Sequence, residues 1–265
     1  MVLPLGDVEK TRIVPIATYA LIALNVVMFI VQTERGDEFT AAYAATPYEI
    51  THNEDLTEPL ELVVHNDAGP PRVRVIGQAA IGFPVWLTMF TAMFLHGSVL
   101  HLAGNMLYLW IFGDNVEEVL GTVRYVLVYL ACGLAGTLLQ VAANPDSVIP
   151  TLGASGAIAG IMGAYVVWFP QNRVRVLVFR FIFLCPAVVT IGLWIGLQVW
   201  EGIGALRHVG QSGGVAYLAH VGGAATGIFV ALLFHDRAQY IRARNAASEG
   251  WFEGPPDLRE PETPI

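Results

Sequence analysis

Lysine is nearly absent from this chain: Lys10 is the only one in 265 residues, and with all arginines the basic total is 14 against 22 acidic residues, a net charge of −8. That balance excludes a surface built to hold nucleic acid. Charge of either sign is scarce, at 14% against about 25% in soluble domains. Cysteine is scarce too. Cys132 and Cys185 both lie inside apolar runs, so no disulfide framework holds the fold, and the redox compartment stays open. Internal repeats are missing, which leaves an inverted-repeat transporter without support. The few charges are also unevenly spread. Four lie in 1–12, twelve in 34–75 and ten in 236–265, leaving ten for the remaining 181 positions. A water-facing surface could not be built from so few. A soluble enzyme and a disordered chain are both excluded; the composition is that of an integral membrane protein.

What is present is a series of apolar runs, each measured against the roughly 20 residues that cross a bilayer core. The first span is Ile13–Val31, between Lys10 and Arg12 on one side and Glu34 and Arg35 on the other. A cleaved leader is the competing reading, weakened by Asp7 and Glu9 in what should be a basic start. Residues 34–83 follow as a long acidic loop in which Pro47, Pro59, Pro70 and Pro71 break regular structure. Pro84–Gly113 carries no charge over 30 residues. That exceeds one span, so it divides into an interfacial piece, Trp86–Leu95, and a second span, Ser98–Phe112. Val123–Ala143 is the third span, ended by the Asn144-Pro145-Asp146 turn. Ser155–Phe169 is a short fourth, Val176–Leu206 the fifth and Gly214–Phe234 the sixth. Residues 236–265, polar and proline-bearing, are expected to be a disordered tail.

The expected fold class is therefore all-α: a six-helix polytopic bundle over residues 13–235, with 1–12 as an N-terminal segment. Basic residues set its orientation. With the N-terminus in the cytoplasm, the inner segments hold ten of them and the outer segments four, Arg35, Arg72, Arg74 and Arg207. Both termini are then cytoplasmic. Trp86, Trp110, Trp168, Trp194 and Trp200 fall mostly near span ends and read as an aromatic belt. Arg180 reads as a side chain reaching to the inner interface, and His52, His65, His208 and His235 as loop or interface residues.

Polar residues inside spans mark function or interhelical contact. The sixth span contains Ala219-His220-Val221-Gly222-Gly223, with Gly227 four residues on. The glycines form a face that lets another helix come close. The fourth span opens with Gly153-Ala154-Ser155-Gly156 and continues through Ala159, Gly160 and Gly163. Ser155 lies 18 residues before Arg173, and His220 lies 17 before Arg237. At 1.5 Å per residue both sit about 26 Å above the inner anchors. A serine and a histidine at one depth on glycine-rich faces suit a nucleophile beside its general base; a structural histidine is the plainer alternative. On the second span His101 and Asn105 share a face at i, i+4. They suit hydrogen-bond donors to an oxyanion, with the Ser155 N–H as a third, or else an interhelical polar clamp. No carboxylate lies at this depth to orient His220. Glu201 is the nearest in sequence and reads as interfacial, so the site is a Ser–His dyad rather than a triad.

The combination His96-Gly-Ser-x-x-His101-x-x-x-Asn105, Gly153-Ala-Ser155-Gly156 and Ala219-His220-x-Gly-Gly223 resembles the rhomboid family of intramembrane serine proteases. The resemblance covers residues 13–235. It implies a nucleophile at Ser155, a base at His220, oxyanion donors at His101 and Asn105, and a structural His96 tying the second span to the first loop. It implies membrane-protein substrates cut in or near their transmembrane helices, a lipid bilayer as surroundings, and neither cofactor nor metal. With no seventh span or large extra domain read in this sequence, the pattern resembles the basic six-span prokaryotic form, and so a cell membrane. Two positions depart from the family pattern. Ala159 stands where some members place an aromatic that stacks on the catalytic histidine, and Trp86-Leu87 stands nearest to a Trp-Arg pair of the first loop. A rhomboid-like protein that binds membrane proteins without cutting them is the alternative function; intact Ser155 and His220 count against it.

Overall fold

The computed structural model describes residues 2–9, 11–66, 69–207 and 216–250. Helices dominate it. The central one, α7 (Ser155–Trp168), is only 14 residues long, about 21 Å, and nearly all of it is buried. Glycine explains how so short a helix is enclosed. A Cβ at Gly223 or Gly227 of α9 (Tyr217–Leu233) would overlap the carbonyl oxygens of Gly156 and Gly160 on α7. A Cβ at Gly160 would overlap the Cys132 side chain of α6 (Thr122–Ala143), and one at Gly136 on α6 would overlap the Ala219 carbonyl of α9. Three helices thus meet backbone to backbone, the kind of packing by which helices associate where lipid offers no hydrophobic drive.

The outer helices close around this centre. α1 (Ile16–Arg35) starts after Pro15 without a side-chain cap of its own. The cap comes instead from Glu117, near the end of α5 (Val99–Leu120), whose carboxylate accepts from the Ala17 N–H at 3.0 Å, the Thr18 N–H at 2.8 Å, the Thr18 hydroxyl at 2.9 Å and the Thr122 hydroxyl at 3.1 Å. Glu117 is fully buried, with its oxygens satisfied by donors that α1 would otherwise leave orphaned. At the far end of α1, Gln32 brackets the backbone of His96: its amide donates to the His96 carbonyl at 2.9 Å and its oxygen accepts from the His96 N–H at 3.0 Å.

The expected division of the uncharged run 84–113 is observed. Short turns at Val85–Leu87 and Ala92–Phe94 flank α4 (Thr88–Thr91), and α5 leaves this segment at 78°. Ser98 caps α5, its Oγ accepting from the His101 N–H at 3.1 Å. By length and hydropathy Ile16–Arg35, Thr122–Ala143 and Ala187–Gly204 can each cross a membrane, two bent pairs add to them, and α7 is a further short apolar helix. This is a polytopic helical membrane protein.

Three expectations need correction. The first loop is structured: α2 (Asp37–Tyr43), α3 (Pro47–His52) and a hairpin of β2 (Leu60–Asn66) with β3 (Gly69–Ile76). Pro47 opens α3, where its missing N–H costs nothing. Pro70 and Pro71 lie in a two-stranded sheet, where each strand has a free edge. The run Val176–Leu206 is not one span. Its start belongs to β4 (Arg173–Val178) and β5 (Phe181–Pro186), and only then does α8 (Ala187–Arg207) begin. The partner that makes strands of this stretch is β1 (Val2–Asp7), which pairs antiparallel with β4 to give the order β1-β4-β5. Arg180, at the hairpin tip, lies over the Phe181 ring, 5.2 Å from its centroid. The tail, finally, is helical as far as Gly250: α10 (His235–Gly250) buries Ala238 and Ile241. It is fastened by Arg237 to the Val119 carbonyl, by Arg242 to the Trp168 carbonyl at 3.0 Å, and by Arg244 to the buried Glu118 at 2.7 Å. Those arginines meet carbonyls and a carboxylate left at the ends of α5 and α7, which is why a polar segment folds there. Residues 251–265 of the expected disordered tail, with Trp251, lie outside the described residues.

Candidate active site

Helices α5, α7 and α9 all begin at the same end of the bundle and bring polar residues there in their first turns: His101 and Asn105 on α5, Ser155 on α7 and His220 on α9. Ser155 is the first residue of α7, so its N–H has no acceptor within the helix. The chain reaches it through Gly153 at φ +125°, where a Cβ would run into the His101 ring, 2.8 Å from its Cε1. Glycine is required there both by conformation and by space. The Gly153 N–H is held by the Ala92 carbonyl at 2.8 Å, and Thr151 pairs with Ala45 in an isolated bridge, so the first loop and the segment before α5 fix the turn.

His220, in the first turns of α9, stands with Nε2 2.7 Å from Ser155 Oγ. Its other nitrogen, Nδ1, lies 2.7 Å from Oε1 of Gln198 on α8. A carbonyl oxygen only accepts, so this arrangement suits a proton on Nδ1 and an Nε2 lone pair facing the serine. The Trp194 ring, one turn before Gln198, packs on His220 with centroids 5.5 Å apart. His101 Nδ1 accepts from the Gly97 N–H at 3.4 Å, which leaves its proton on Nε2, the nitrogen nearest Gly153. Asn105 is buried, and its amide nitrogen has no partner among the described residues. Ser155, His220, His101, Asn105, Gln198 and Trp194 all line one cavity of about 370 Å³, whose floor is Tyr108, Ile158 and Met162.

The four residues singled out from sequence thus share one pocket. His96 lies behind them, its ring edge-on to His101 at 5.2 Å, and its backbone is tied to α1 through Gln32 rather than to the first loop. Two supports were missed. Glu201 is exposed, and the group that meets His220 is Gln198, three residues earlier. Trp194 belongs to the site and not to an aromatic belt. Trp168 is likewise buried, donating to the Ala231 carbonyl at 2.8 Å; Trp86, Trp110 and Trp200 are exposed. The available signal was the i, i+4 spacing of Trp194 and Gln198, which puts both on one face of α8. His52 pairs with Asp146 at 3.6 Å and His235 with Gln239, away from the pocket; His208 lies outside the described residues, as does the side chain of His65. Among the described residues no group of three His, Cys, Asp or Glu side chains could hold a metal.

A membrane bundle with a serine and a histidine in hydrogen-bond contact at the mouth of a pocket defines a class; comparison with known proteins gives the family. The rhomboid domain family model matches residues 84–237, so the chain belongs to the rhomboid family. It is 34% identical over 146 residues to "Rhomboid protease GluP" of Bacillus subtilis, covering 55% of this chain and 25% of that protein. It is 30% identical over 175 residues to "Rhomboid protein 1, mitochondrial" of Saccharomyces cerevisiae, covering 63% and 47%. Similarity to "RHOMBOID-like protein 4" of Arabidopsis thaliana extends over 244 residues at 27% identity, covering 88% and 55%. The chain spans about half or less of the length of these relatives.

Proposed function

We propose that this protein is an intramembrane serine endopeptidase that hydrolyses peptide bonds in or near the transmembrane helices of other membrane proteins. The observation that carries the reading is the 2.7 Å contact between Ser155 Oγ and His220 Nε2, within the reach a general base needs. The similarity to a protein named as a rhomboid protease supports the same reading. In the reaction His220 Nε2 takes the Ser155 proton as Oγ attacks the scissile carbonyl carbon. The oxyanion accepts from the Ser155 N–H, His101 Nε2–H and the Asn105 amide. Collapse breaks the C–N bond, and the imidazolium returns its proton to the leaving amine. Water, deprotonated by His220, then hydrolyses the acyl-enzyme.

The proposed setting is a six-span bundle in a cell membrane, with both termini in the cytoplasm and the site near the outer face. A helix hides its peptide bonds in its own hydrogen bonds, so the substrate must unwind locally. Cuts should fall within about two turns of the outer end of a span and favour spans with Gly or Pro there. A small residue should precede the bond. The test is covalent labelling of the purified protein by a fluorophosphonate. Labelling is expected at Ser155 and should vanish in Ser155→Ala and His220→Ala. Equal labelling in the Ser155→Ala protein would sink the assignment.

A further inference from the structure

The histidine of a serine–histidine pair works as a base only in one tautomer. If Nε2 carries the proton, a hydrogen stands against the serine and no lone pair is available to receive another. Something must hold the proton on Nδ1, and something must hold the ring plane. On α7 the residue one turn after Ser155 is Ala159, which is fully buried and too small to reach the imidazole. Both tasks fall to α8. Its inward face runs through Ala187, Ile191, Trp194, Ile195, Gln198 and Gly202, and the opposite face is exposed. Two of these residues, four apart, meet His220: Trp194 as a ring wall, and Gln198 as a carbonyl acceptor 2.7 Å from Nδ1.

A primary amide on the face of an apolar helix is costly unless it finds a partner. Gln198 is therefore committed to His220 on energetic grounds as well as by geometry. Its choice over a carboxylate also has a physical reason. Glutamine supplies an acceptor without a charge, so the neutral site carries no buried ion to desolvate. When His220 becomes an imidazolium during the reaction, the same bond becomes charge-assisted and strengthens where it is needed.

We propose that Gln198 is the positioning residue of this site: through its Oε1 it holds the proton of His220 on Nδ1, with Trp194 fixing the ring, so that α8 gives the base the support α7 lacks. The role of His220 as base rests on the endopeptidase reading above; the tautomer does not.

The experiment uses the full chain, labelled with ¹⁵N-histidine, in detergent micelles. The His220 signals are identified by difference from His220→Ala. In the wild-type protein Nδ1 should show a directly bonded proton and Nε2 should not. Gln198→Met keeps chain length and removes the acceptor; it should lose the single Nδ1–H form and react with fluorophosphonate about 10–100-fold more slowly, less than the about 10⁴-fold cost of mis-set tautomer in a soluble triad. Gln198→Glu retains an acceptor oxygen and should keep the Nδ1–H form that Gln198→Met loses, with a lower melting temperature from the carboxylate it buries. Protonated Nε2 in the wild-type protein would overturn the proposal with no variant needed. So would an unchanged tautomer in Gln198→Met, even with slower labelling, because that outcome is a packing effect. If the wild-type protein shows the Nδ1–H form but Ser155 never labels, the endopeptidase reading fails and the hold of Gln198 on His220 stands.

Discussion

Asn105 lines the pocket into which Ser155 and His220 also open, and its buried amide nitrogen has no acceptor among the described residues. A donor left unpaired in a folded protein costs stability, and the cost is recovered when an oxyanion arrives. Asn105→Ala should therefore lower kcat by about 10²–10³ while leaving melting temperature unchanged or raised. Turnover of a peptide reporter together with thermal melting reads both; unchanged kcat would remove Asn105 from the mechanism. The glycines divide in the same residue-by-residue way. Gly223 has the Gly156 carbonyl where its Cβ would be, whereas a Cβ at Gly196 on α8 would meet nothing within 4 Å among the described residues. Gly223→Ala should cost about 1–3 kcal/mol and most of the activity, since it pushes the serine and histidine helices apart. Gly196→Ala should be neutral or stabilising by up to about 1 kcal/mol. Equal melting of the two variants would mean that the close seam does not form.

β1 is fastened by more than its ladder. Asp7 Oδ2 accepts from the Tyr165 hydroxyl at 2.8 Å and from the Asn115 amide at 2.8 Å. Burial pushes the Asp7 carboxyl up from 3.8 to about 7; the Tyr165 hydrogen bond opposes this, and the charges of Asp114 and Glu9 add to it. A carboxyl that keeps its proton longer in the folded state favours folding below about pH 4, and that contribution fades as pH rises through about 7. Asp7→Asn lacks the dependence. It should melt close to wild type at pH 5 and a few degrees higher at pH 8, with circular dichroism as the readout; parallel melting curves at both pH values would show that Asp7 does not titrate in this window. The element that carries Asp7 was not legible in the sequence, because β1 becomes a strand only by pairing with β4, 170 residues on. Val176–Pro186 was misjudged for a related reason: Val, Leu, Ile and Phe suit a strand and a membrane helix equally, and only the excess of the run over about 20 residues hinted at a second element. The helices that bring Ser155 and His220 together were legible, since both carry a polar residue among glycines in an apolar run. Gln198 was not, because its meaning depends on which helix its face meets.

For the whole molecule, the arginine distribution predicts that a reporter fused after Arg237 faces the cytoplasm and one inserted near Asn66 faces outward. A membrane-impermeant reagent should modify only the second; the reverse pattern would invert the proposed cutting end. The common origin of α5, α7 and α9 at the site has a consequence for the field there. Each helix start carries roughly half a positive charge from its aligned peptide dipoles, so three positive poles converge where His101, Ser155 and His220 meet. With low-dielectric protein and lipid nearby, that field is screened far less than in water. With Ser155 as the proposed nucleophile, it should favour electrophiles that are neutral on entry and become negative on attack, such as boronates and phosphonates, and oppose ligands that bring a cation to the same position. The backbone of the bundle thus ranks ligands by how their charge develops, in addition to what the pocket side chains contribute.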